Sequence, residues 1–157
     1  MARSVPLSRA TSLLRRGSAF YVRLRSTRMS HDVEEWFSDP KCGADWQDMD
    51  LVLADVELLP RLKAYLDDPS ASWGKMPTVI SALLEILEHH CPRDGGPDSA
   101  RRAEDIKATI RQHEDVAQRA MPDLGPVKHV VLLSILGLSI PSDYPQWIVD
   151  RAHEEGA

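Results

Sequence analysis

The residue types best able to do chemistry cluster in Glu85, Glu88, His89, His90 and Cys91. Positions 85 and 89 are four apart, so on a helix they share a face and can chelate a metal or form a charged pair. His89 and His90 point roughly 100° apart, so a helix cannot bring both to one ion. Cys91, next to Pro92, can join either face. Glu85, His89 and Cys91 together make a donor set suited to zinc. One segment does not supply four converging ligands, and histidines at a helix C-terminus are also favoured by the helix dipole. The expected reading is a polar helix end with no cofactor. A metal-dependent enzyme or sensor using Glu85, His89 and Cys91 is the alternative.

Other catalytic patterns are missing. No Gly-rich phosphate loop ends in Lys-Ser or Lys-Thr, and no dinucleotide fingerprint occurs. Ser139 follows Gly137 but lacks the second glycine of a nucleophile elbow. His113-Glu114 opens like a zinc-protease motif, yet Ala117 stands where the second histidine belongs. His113 itself falls on an apolar stripe, where a histidine is expected to be half-buried with a hydrogen-bond partner. Of the four tryptophans, Trp73, Trp46 and Trp147 are the candidate partner-binding anchors, because aromatic residues dominate interface hot spots. Trp73, in the loop Ser70 to Gly74, is the first choice.

Charge divides the chain near Met29. Seven arginines and no acids precede it, and all 24 acidic residues then face only 12 of the 19 basic ones. Residues 1–28 have the composition of a mitochondrial transit peptide, of a basic arm, or of an extension outside the working protein. On each reading they stay out of the core, and 29–157 is one acidic domain. Such a body repels nucleic-acid phosphates and attracts a basic partner. Cys42 and Cys91 form no close pair, which points to a reducing compartment. The cytoplasm is the expected location, or the mitochondrial matrix if the leader is a transit peptide. The longest apolar run, Val130 to Ile140, is shorter than the roughly 20 residues of a membrane span. It reads as a buried central helix, and no transmembrane segment is expected.

The elements that must position these residues are helical throughout. Ser30 is placed to cap a short helix running to Phe37. Val52, Val56, Leu59, Leu62 and Leu66 draw one stripe over roughly 45–67, with a kink or fresh start just before Pro60. Pro77 opens a largely apolar helix to His90. Asp98 caps a single long helix over about 99–121, striped by Ala103, Ile106, Ile110, His113, Ala117 and Ala120. Pro126 opens the apolar helix that Gly137 stops, and Ser142 or Asp143 caps a last one bearing Trp147, Ile148 and Ala152. The fold class is all-α with five or six helices.

Leu58 to Asp68, with Pro60 in the first helix, followed by Val79 to Leu87, resembles one HEAT-type helical hairpin over residues 58–91. The basic residue usual near the start of the second helix is at best Lys75, and residues 99–138 do not repeat the pattern. A solenoid needs about three repeats, so a compact bundle and a very short HEAT-like stack both stay open. The resemblance implies protein binding through a helical surface and carries over no site residues. The expected function is a small, non-enzymatic, protein-binding domain. In class it resembles immunity and antitoxin-like proteins, which neutralise a basic partner with carboxylates and an aromatic patch. An organelle-imported accessory protein is a further alternative.

Overall fold

The computed structural model describes residues 32–41 and 48–156. The leader 1–28, the Ser30 cap, Cys42 and Trp46 lie outside the described residues. Every regular element among the described residues is a helix. The described residues fall in two compact units, divided between Cys42 and Gly43.

In the first unit, α1 spans 32–38. Val33 and Trp36 are buried, and the Trp36 indole meets the Phe37 ring edge-on with centroids 5.1 Å apart.

The second unit holds α2 (Met49–Leu53), α3 (Leu59–Asp67), α4 (Met76–His90), α5 (Gly96–Gln112), α6 (Glu114–Ala120), α7 (Pro126–Ile135) and α8 (Gln146–Glu155). Short 3-10 turns precede α3 and α4 and follow α6. Pro60 and Pro77 sit in the first turns of α3 and α4, where a missing N–H costs nothing, so the expected fresh start before Pro60 is present. The rest of the expected 45–67 helix is broken at Ala54, whose ψ of 54° leaves the helical region.

The hub is α4, which packs against α2, α3, α5, α6 and α7. Its residues Met76, Val79, Ile80 and Ala82 to Leu87 are all buried. A helix apolar around most of its circumference must be enclosed, and this one is enclosed on several sides. That corrects the expectation that the Val130 run is the central helix. α7 buries Val130 to Leu133 and Ile135, but it packs mainly on α8, with α4 and α5 behind it. A hub contacted by five helices is a bundle; in a solenoid each repeat touches only its neighbours.

The expected long fourth helix is two. His113, with ψ 46°, separates α5 from α6, and its Nδ1 lies 2.9 Å from the Thr109 carbonyl oxygen. Its Nε2 reaches Asp67 Oδ1 at the end of α3, 2.8 Å away. A polar bridge to another helix thus replaces a continuous helical turn, and the stripe of Ile106, Ile110, Ala117 and Ala120 stays buried across the break. α5 begins at Gly96, ahead of the expected Asp98 cap, which lies in its first turn. α8 starts at Gln146 without a side-chain cap, so neither Ser142 nor Asp143 caps it.

The end of α7 follows the sequence. Gly137 adopts φ +68°, its N–H bonds Ser134 O at 3.1 Å, and the Leu138 N–H bonds Leu133 O at 2.9 Å. This pair of bonds is a Schellman cap. Arginines also serve helix carboxyl ends. Arg102 donates to His90 O at 2.9 Å, Arg111 to Ile135 O at 3.0 Å, and Arg93 to His153 O.

Candidate functional site

One polar stripe interrupts the apolar surface of α4. Ser81, Glu85 and Glu88 are spaced by four and three, which keeps them along one side of the helix, and His89 lies one turn beyond Glu85. Ser81 and Glu85 are buried, Glu88 is half-buried, and His89 is exposed at the helix end. A buried carboxylate is tolerated only when it is paired, and α2, α7 and α8 supply the partners.

At the inner end, Lys128 of α7 donates to Glu85 Oε1 at 2.5 Å and to Ser81 Oγ at 2.9 Å. It also reaches Asp50 Oδ2 of α2 at 3.2 Å, and Ser81 donates to the same Asp50 oxygen at 2.6 Å. Burial would push the Asp50 carboxyl up, but the Ser81 hydrogen bond and the Lys128 charge hold it below the usual carboxylate range. Burial would likewise lower the Lys128 ammonium, yet the hydrogen bonds and charges of Glu85 and Asp50 raise it. Lys128 stands in the first turn of α7, where the dipole disfavours a cation, so these two carboxylates also offset that cost.

Ser81 and Lys128 have the proximity of a nucleophile and its base. The chemistry does not follow. A Lys general base needs a depressed pKa, whereas Lys128 is held cationic by two carboxylates. Asp50, held below its ordinary pKa, is a poor proton acceptor. The arrangement locks α2, α4 and α7 together. A cavity of about 210 Å³ beside it is lined by Met49, Asp50, Pro77, Thr78, Ser81, Asp123 and Leu124.

At the outer end, His89 Nε2 lies 3.1 Å from Glu85 Oε2 and 3.6 Å from Glu88 Oε1. One donor atom from each of Glu85, Glu88 and His89 falls within 4.8 Å of the others. Arg151 of α8 approaches Glu88 Oε1 at 4.0 Å while engaging Glu155 and Glu154 of its own helix. Burial, followed by the nearby Glu155 carboxylate, raises the Glu88 pKa. Next to this end a cleft of about 290 Å³ runs between the end of α4, α5 and the end of α8, lined in part by Glu88, Cys91, Glu104, Lys107, Glu154 and Glu155.

No family model, curated protein or solved structure matches this chain.

The sequence candidates are thus redistributed. Glu85 and His89 share a face as the spacing requires, but the third member beside them is Glu88. Cys91 is buried in the cleft wall, where desolvation raises its thiol against the pull of Arg102 and Lys107. His113 is the half-buried, hydrogen-bonded histidine that its stripe position implies. Trp73 is exposed, with the Arg119 guanidinium 4.3 Å from its ring centroid. Trp147 is 65% exposed, the most open large apolar side chain among the described residues. Reading by motif missed Ser81, Lys128 and Asp50. Polar residues four apart at 81 and 85 in an apolar helix were a usable signal for the first, and Lys128 heading an apolar run for the second. Nothing local marks Asp50.

Proposed function

We propose that the helical body is a non-enzymatic protein-binding domain whose partner presents a basic surface with an apolar recess. The observation that carries this reading is the outward face of α8. Trp147, Asp150 and Glu154 recur at spacings of three and four, all exposed, while Ile148 and Ala152 face the core. An indole beside carboxylates is the composition of a hot spot with an electrostatic surround. Leu138, exposed in the loop between α7 and α8, and Trp73 beside Arg119 are further apolar surface. The charge-locked Lys128 removes the best-placed catalytic group and supports the same reading. Cys91, a buried free thiol, accords with a reducing cytoplasmic setting, and no helix among the described residues is long and apolar enough to cross a membrane.

The test is kinetic, on a partner captured from the host. Raising salt from about 50 to 500 mM should slow association strongly and change dissociation less, because steering acts on encounter and is screened over about 8 Å at physiological ionic strength. An association rate indifferent to salt refutes the acidic interface.

A further inference from the structure

We propose that Glu85, Glu88 and His89 form a binding site for a divalent first-row transition ion, with zinc the best fit. This inference is independent of the protein-binding reading, and it departs from the sequence expectation of a plain helix end on two observations. The first is donor spacing. In a tetrahedral shell with bonds of about 2.0–2.2 Å, neighbouring donors lie about 3.3–3.6 Å apart. The two contacts of His89 Nε2 are 3.1 and 3.6 Å, to Oε2 of Glu85 and Oε1 of Glu88. One nitrogen and two carboxylate oxygens thus lie within 4.8 Å of one another, close enough for small side-chain rotations to bring them to shell spacing.

The second is orientation by a residue outside the donor set. Lys128 binds the other oxygen of Glu85, Oε1, at 2.5 Å. That contact fixes the buried carboxylate and leaves Oε2 turned to His89, as outer-shell partners do for metal-ligating carboxylates. Among the described residues no Lys or Arg comes equally close to the outer end: Arg151 stands 4.0 Å from Glu88 and engages Glu155 first. With Glu85 paired to Lys128 and Glu155 to Arg151, Glu88 leaves negative charge for an ion to neutralise, and the exposed His89 opens the group to solvent. Three protein donors leave a coordination position for water or for a donor brought by a partner. Cys91 stands outside this donor group.

The experiment uses the full chain, stripped with chelator, dialysed, and titrated calorimetrically with zinc ion alone. Binding of one equivalent is expected, weakened on the order of tenfold or more by His89→Ala and separately by Glu88→Gln. His89 has a side chain 59% exposed, so its replacement leaves the fold intact, and unchanged circular dichroism checks this. Cobalt ion should give visible bands of nitrogen and oxygen ligation without a thiolate charge-transfer band. Absence of stoichiometric binding overturns the proposal. So does wild-type affinity in His89→Ala, or a thiolate band that moves the ion to a cysteine.

Discussion

Lys128 Nζ on α7 lies 2.5 Å from Glu85 Oε1 on α4, joining the two most apolar helices of the bundle through their one ionic contact at hydrogen-bond distance among the described residues. Glu85 has a side chain only 9% exposed, and Lys128 one 20% exposed. Neither charge tolerates loss of the other.

Lys128→Met should therefore destabilise the fold by about 3 kcal/mol, because it strands a buried carboxylate. The double variant Lys128→Met/Glu85→Leu should recover part of that loss, since it removes the stranded Glu85 charge but leaves Asp50 its Ser81 hydrogen bond without the Lys128 charge. Urea unfolding of the four proteins measures the coupling. Additive losses would show that the pair does not act as a unit.

Acid and base act on different members of the stripe. Asp50 is held below its ordinary 3.8 in the folded state, so its stabilisation is present above that value and is lost as pH falls through the lower, folded pKa. Lys128 is raised above 10.5, so its share is complete below that value and disappears as pH rises through the folded pKa. Glu88 runs the other way: raised above 4.5 by burial and by Glu155, it makes the fold less stable as pH rises through the window just above 4.5. Glu88→Gln should remove that slope and match or exceed wild-type stability at pH 7. Thermal midpoints across pH 3–8 give the comparison; a slope retained in the variant would assign it to another group.

Gly137 offers a clean test of a helix stop. Its φ of +68° disfavours any side chain, while a Cβ added there meets nothing within 4 Å. Gly137→Ala should thus cost about 1 kcal/mol from backbone strain alone. A loss several times larger would mean that the α7–α8 connection rearranges.

Trp147→Ala should leave the unfolding midpoint nearly unchanged, within roughly 0.5 kcal/mol, because the side chain is mostly solvated. With the partner in hand it should raise the dissociation rate and cost on the order of 2 kcal/mol of binding. Trp73→Ala should lose about 0.5–1 kcal/mol of stability through its contact with Arg119, so its effects on folding and binding must be measured separately. Normal binding by both variants would place the interface elsewhere.

The all-α class, the proline-opened starts of α3 and α4 and the Gly137 stop were legible in the sequence because each is local. Apolar residues at helical spacing, a ring that fixes φ and a glycine that accepts positive φ act within a few residues. The pairing of Glu85 with His89 is local in the same sense, being one helical turn. What failed locally was continuity. Nothing in 99–121 announces the break at His113, whose ring bridges to Asp67 on a different helix. The helix starts at Gly96 and Gln146 likewise ignored the best capping residues nearby. The hub position of α4 and the polar lock of Asp50, Ser81 and Lys128 came only from tertiary structure. Each joins groups far apart in the chain, and a buried charge takes whichever counter-charge packing brings within hydrogen-bond reach.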